Sequence, residues 1–264
     1  MMKIEKVSMT FNAGTPDENR ALREVSLDVG KGDFVTVIGS NGAGKTTLYN
    51  IIAGTYAPTE GRILIRDIDV TKTPEYKRAR YIGRIFQNPL LGTAGKMSLE
   101  DNMVICHKKG YKGLGISLNK KTREYFRSRL RELDMGLENR LSDNVDQFSG
   151  GQRQALTLLM AVLSEPDLLL LDEHTAALDP RNAEIVMNLT KSFAERYSLT
   201  VMMITHNMGH AIEYGNRLLM MDSGEIVLDI GAAEKSQLSI DGVVQRFRDV
   251  RKKDLVNDQM LLHV

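Results

Sequence analysis

The sequence predicts an α/β fold with a mixed, mainly parallel sheet, an N-terminal antiparallel β subdomain and an inserted α-helical subdomain. Three observations carry that expectation. Phe34–Ile38, Leu168–Leu171 and Val201–Ile204 are nearly continuous apolar runs, the pattern of parallel strands buried on both faces. The stretch before them alternates instead, with Ile4, Val7 and Met9, a loop from Gly14 to Asn19, then Val25, Leu27 and Val29 separated by polar residues, as half-buried antiparallel strands require. Residues from about 90 to 165 carry helical patterning, with Leu130, Leu133 and Leu137 on one side and a long helix over Gln152–Ser164.

The connections follow in order. Phe34–Ile38 runs into a glycine loop and then a helix containing Leu48, Ile51 and Ile52. Between the second and third apolar runs, Arg181–Tyr197 places Ala183, Val186, Met187, Leu189 and Phe193 near helical spacing, and Asp179 followed by Pro180 starts that helix well. Ile226–Leu228 forms a last short strand after the Ser223-Gly224 turn, and RFRDVRKK near the end reads as a solvated helix face. No internal repeat, low-complexity tract or flexible linker divides the chain. A single compact body follows, with a core over residues 1–88 and 166–235, a helical subdomain over about 89–165, and a short extension over about 236–264 to which no function is assigned.

Composition excludes several classes. The chain has 264 residues, 42% hydrophobic and 26% charged, the profile of a soluble globular protein rather than a tail or fibre. A formal net charge of +1 supplies no global attraction to nucleic acid or to an anionic bilayer, so no nucleic acid partner is expected. Cys106 is the only cysteine, which forbids an intramolecular disulfide and is compatible with a reducing compartment. The densest apolar stretch, Leu156–Leu163, contains Thr157 and falls short of the roughly 20 residues of a membrane span. The N-terminus MMKIEKVSMTF lacks the apolar core of a secretory signal, so a cytoplasmic location is expected.

Chemistry concentrates in four places. The segment Gly39, Ser40, Asn41, Gly42, Ala43, Gly44, Lys45, Thr46, Thr47 fits the pattern G-x-x-x-x-G-K-[ST] between a buried strand and a helix, the context of a phosphate-binding loop. Backbone N–H groups surround phosphates there only where bulky Cβ atoms are missing, at Gly39, Gly42 and Gly44. Lys45 supplies charge to the terminal phosphates, Thr46 a hydroxyl for Mg²⁺, and the helix N-terminus a favourable partial charge. A chance match in this length is on the order of one per cent. LLLLDE ends a buried strand in two acids, and ligands gather beyond the carboxyl ends of strands in open parallel sheets. Asp172 is therefore expected to hold Mg²⁺ and Glu173 to act as general base on the attacking water. His206 follows the third run and faces the same reaction, whereas His107, His174, His210 and His263 are read as structural. In FSGGQ, Ser149, Gly150, Gly151 and Gln152 open the long helix and form a second anion-seeking helix end.

In this order and spacing the motifs resemble the nucleotide-binding subunit of ATP-binding cassette transporters, a P-loop NTPase, from about residue 3 to about residue 230. The resemblance implies further roles. Phe11 is similar to the aromatic that stacks on adenine, Gln87, after a strand over Tyr81–Phe86, to the residue that touches Mg²⁺ and the attacking water, and Asp179, in the AALD segment, to an aspartate that communicates between protomers. It also implies ATP and Mg²⁺ as ligands, a homodimer in which the signature of one subunit closes over the other's ATP, integral membrane permease subunits, an extracytoplasmic solute-binding protein, and a position on the cytoplasmic face of the cell membrane. Phe148 replaces the usual leucine of the signature, and His174 stands where proline or serine is commoner. DEHTAALDP and the segment after Gln87 look most like a branch of bacterial importers that includes aromatic amino acid systems such as those for tryptophan. The alternative is a soluble cassette ATPase of translation or DNA maintenance, but those generally carry two cassettes or a long coiled-coil insertion, and neither is visible here.

Overall fold

The computed structural model describes residues 1–107 and 118–251. Its elements are β1 (Met2–Phe11), β2 (Asn19–Val29), β3 (Phe34–Gly39), α1 (Lys45–Ala53), β4 (Glu60–Ile65), β5 (Ile68–Asp69), α2 (Glu75–Arg78), β6 (Ile82–Ile85), α3 (Leu99–His107), α4 (Lys120–Leu130), α5 (Gly150–Leu163), β7 (Leu168–Asp172), α6 (Pro180–Arg196), β8 (Thr200–Ile204), α7 (Met208–Glu213), β9 (Arg217–Asp222), β10 (Glu225–Ile230), α8 (Ala232–Lys235) and α9 (Ile240–Arg251). They form two compact units, residues 1–82 with 199–264, and residues 83–198.

The first unit contains an antiparallel sheet in the order β2-β1-β4-β5, and a row of strands in the order β10-β9-β3-β8. All six residues of β3 are buried, and β3 runs parallel to β8 and β9, which explains its nearly continuous apolar run. β10 returns antiparallel to β9 through the Ser223-Gly224 turn, so the sheet is mixed. Ile38, Met208, Ala211, Leu218, Met220, Ile230 and Val243 join α7 and α9 to these strands in one apolar cluster. In β1 and β2 the expected alternation pairs Ile4 with Leu27 and Val7 with Val25.

One irregularity in that ladder matters for the site. Met9 pairs with Leu22 and Thr10 with Arg20, so Ala21 is an extra residue in β2, a bulge that turns its carbonyl out of the ladder.

The second unit is built around α5, whose Leu156, Leu158 and Leu159 are fully buried, and α3, α4, α6 and a 3₁₀ turn at residues 89–92 pack on it. Leu130, Leu133 and Leu137 are buried as expected, but not on one continuous helix. Asp134 (φ 51°) and Gly136 (φ 71°) break the chain into 3₁₀ turns, and the turn holding Leu137 folds back onto α4. The helix opening with the signature starts at Gly150 rather than Gln152. The strand before Gln87 is shorter at both ends than expected, because Tyr81 belongs to a turn whose N–H bonds the Arg78 carbonyl. Arg246, the first residue of RFRDVRKK, pairs with Glu234; the side chains that follow, and His263, lie outside the described residues.

Candidate functional site

In the first unit the glycine loop leaves β3 and enters α1 with geometry that only glycine permits. Gly39 has φ 153°, and a Cβ there would sit 2.3 Å from the Met221 carbonyl oxygen. Gly44 has φ 95°, and its Cβ would meet the carbonyl of the bulged Ala21 at 2.6 Å and Leu22 at 2.8 Å. Gly42 (φ 80°) has open space around it, so its requirement is conformational rather than steric. The Ser223-Gly224 turn braces the loop, with the Gly224 N–H donating to the Ala43 carbonyl at 3.2 Å. α1 begins at Lys45 without any side-chain cap, which leaves its entry to backbone donors. Lys45 is buried, and its Nζ donates to the carbonyls of Gly39 (2.7 Å) and Ser40 (2.9 Å), so the ammonium is held inside the curve of the loop. Thr46 is exposed in the first turn, beside half-buried Thr47; Asn41 is exposed as well.

His206 leaves the same end of the sheet as this loop. β3 and β8 are parallel neighbours with Val37 opposite Ile204, and the Thr205 N–H donates to the Val37 carbonyl at 3.2 Å. Phe11 ends β1 opposite Asn19, two residues along β2 from the Ala21 that touches Gly44. That is about 5 Å across and about 7 Å along, within reach of one nucleotide anchored in the loop. Phe11 meets Tyr56 edge to face, centroids 5.6 Å apart, and Tyr56 is a site neighbour that sequence reasoning missed.

The second unit holds the other motifs. Asp172 ends β7 and Glu173 follows at φ 48°, a left-handed conformation uncommon for glutamate. The next residue, His174, is buried, with Nε2 3.1 Å from Thr190 Oγ1. Thr190 spends its one proton on the Val186 carbonyl (2.8 Å), so Nε2 must be the donor and His174 carries its proton there. The departure from proline or serine thus ties the turn after Glu173 to α6, a structural role as expected. Asp179 is the N-cap of α6, accepting from the Asn182 N–H (3.1 Å) and the Asn182 side chain (2.6 Å), and these bonds hold its carboxyl below the ordinary carboxylate range.

Ser149 and Gln152 close a reciprocal capping box at the start of α5, with the Gln152 N–H 3.3 Å from Ser149 Oγ and the Ser149 N–H 3.2 Å from Gln152 Oε1. Ser149 and Gly150 are exposed, whereas Gly151 is buried, and a Cβ on it would lie 2.5 Å from Asn182 Oδ1. Phe148 is buried under the Arg140 guanidinium, 4.6 Å from its ring, so the swap for leucine adds a cation–π contact. Gln87 is exposed just beyond β6.

Residues 22–176 match the ABC transporter family profile, and that span contains the glycine loop, Gln87, the signature and the two acids. The chain belongs to the ABC transporter family. It is the ATP-binding, ATP-hydrolysing subunit that energises solute transport. The tyrosine transport ATP-binding protein of Clostridioides difficile (strain R20291) is 39% identical over 248 residues, covering 94% of this chain and 98% of that protein. The phosphonates import ATP-binding protein PhnC of Rhodopseudomonas palustris (strain BisB5) is 30% identical over 262 residues, 97% of this chain and 92% of that one. Among solved structures, a dimeric post-hydrolysis ATP-binding cassette bound to ADP and Pi superposes with a TM-score of 0.73 at 28% identity, covering 88% of this chain and 99% of that one. The chain has no helix among its described residues long and apolar enough to cross a membrane.

Proposed function

We propose that this ABC subunit works as a homodimer on the cytoplasmic face of the cell membrane, driving an importer of aromatic amino acids or similar small solutes. The observation that carries the catalytic part is the uncapped, Cβ-free entry to α1 with Lys45 held inside the loop. In this reading Phe11 stacks on adenine, Gly39 to Thr47 bind the phosphates, and Ser149 to Gln152 of the second protomer close over them. Glu173 takes the proton of the attacking water, and His206 steadies the charge developing at the terminal phosphate. Thr46, Gln87 and Asp172 offer a hydroxyl, an amide oxygen and a carboxylate, hard oxygen donors that suit Mg²⁺ held otherwise by phosphates and water. No group of three His, Cys, Asp or Glu among the described residues forms a protein-only metal cage. Asp179 carries the nucleotide state between protomers. The division into a core over 1–88 and 166–235 and a helical subdomain over about 89–165 belongs to the same reading.

The permease and an extracytoplasmic solute-binding protein complete the proposed assembly. Leu90 (53%), Leu91 (67%) and Ile105 (54%) are exposed on segments that follow Gln87 in sequence and pack on α5, which supports a membrane-protein docking surface there. The aromatic amino acid reading is supported by the tyrosine transport relative. Co-purification tests the assembly: the chain should bring down a multi-span membrane protein and a protein that binds tyrosine or tryptophan. Recovery with ribosomal or DNA-repair components and no membrane protein would favour the soluble ATPase.

A further inference from the structure

Arg78 is one of the largest fully buried side chains among the described residues and has no assigned part in nucleotide chemistry. Its guanidinium reaches four backbone carbonyls. Nη1 donates to Ile51 (2.7 Å) and Ile52 (2.8 Å) in the last turn of α1, Nε to Thr73 (2.8 Å) and Nη2 to Thr71 (2.9 Å). Both α1 acceptors lie where the helix runs out of its own i+4 donors; the Ile51 carbonyl also accepts from the Gly54 N–H at 3.2 Å, and Arg78 supplies the further donors. Space for the guanidinium comes from Gly54, the C-cap at φ 89°, where a Cβ would lie 2.8 Å from Nε and 3.0 Å from the Thr73 carbonyl.

We propose that Arg78 is a positioning residue for the nucleotide phosphates, acting through α1. The phosphate-binding amides form one end of a nine-residue helix, and Arg78 clamps the other end to the Thr71–Thr73 segment. Such a helix is about 13 Å long, short enough that a shift at the clamped end moves the loop as a body. The clamp is also electrostatic, because a cation at the helix C-terminus complements a phosphate at its N-terminus along one dipole. Burial pushes the guanidinium down to about 10, still charged at neutral pH, so the cation persists where it is needed. The loop amides meet the phosphates in the bound state as well as during reaction, so loosening the clamp removes uniform binding, which weakens affinity and leaves kcat nearly unchanged.

The inference rests on the phosphate-loop reading of Gly39 to Thr47, and two variants separate the failures. Arg78→Lys keeps the charge but cannot span four carbonyls. It should stay folded, weaken Mg-ATP binding about tenfold in a titration, and leave kcat at saturating ATP within about twofold. Amide exchange of residues 43–47 should accelerate about tenfold while that of β8 is unchanged. Should Arg78→Lys fail to fold, Gly54→Ala crowds the same guanidinium and should give the same pattern in Kd and exchange. A lower melting temperature with Kd and loop exchange both unchanged would make Arg78 merely structural and overturn the proposal. Lys45→Ala is the control: if it too binds Mg-ATP normally, the loop reading has failed rather than the clamp alone.

Discussion

Two helices open toward phosphate in opposite ways. The N-cap of α1 is Gly44, in a left-handed conformation with no side-chain cap, whereas the N-cap of α5 is Ser149, with a closed capping box. The first end depends on a ligand to complete it; the second is complete alone and, with Ser149 and Gly150 exposed, presents its positive end outward. That difference fits the proposed homodimer. In that proposal the loop at α1 binds the nucleotide of its own chain, and the outward end of α5 meets a phosphate held by the other copy.

Variants at the two ends should therefore fail differently. Lys45→Ala should have the largest effect, reducing Mg-ATP affinity by about a hundredfold or more, since it removes a charge held inside the loop; near-normal calorimetric binding would contradict the α1 half of the contrast. Gly151→Ala should spare that affinity but cut ATPase turnover by about a hundredfold, because the Cβ would displace Asn182 and with it the α5 entry. If turnover survives, α5 does not take part in the reaction. Gly39→Ala should destabilise the fold itself by about 2–4 kcal/mol in urea titrations, given the 2.3 Å approach of the Met221 carbonyl.

Much of this was legible in the sequence, for a reason visible in the residues. Parallel strands such as β3 are buried on both faces and announce themselves as nearly continuous apolar runs, and the glycine loop is constrained by backbone geometry that few other sequences satisfy. β9 has the same signal in Leu218–Met221, but it leads straight into the Ser223-Gly224 turn, whose hairpin signature marks only the strand after it. β4 was missed because only Ile63 and Ile65 of its six residues are buried, a short alternation easily taken for loop. Tyr56 and Arg78 lie outside every motif. Their placement depends on a β-strand end and a helix C-cap that exist only once the chain is folded, so no local pattern marks them.

The smallest predicted effect lies far from either helix entry and bounds the contrast from outside. Lys235 is buried, with Nζ bonded to the carbonyls of Tyr214 and Gly215 (3.2 Å) and to Thr36 Oγ1 (3.3 Å), and burial pushes it down to about 8. The unfolded chain then binds more protons between about 8 and the ordinary lysine value of 10.5, so this residue's contribution to stability rises with pH across that window and is lost as pH falls through 8. Denaturation at pH 7.5 and 9.5 should show wild type gaining on Lys235→Met, with nucleotide affinity alike in both.

We propose that one protomer's α5 completes the nucleotide site at another's α1. Light scattering of Glu173→Gln with Mg-ATP tests it most directly, because closure needs the phosphates while opening needs hydrolysis. The expected result is a stable dimer that returns to monomer when ATP is replaced by ADP. A variant that binds Mg-ATP and remains monomeric at every concentration would contradict it.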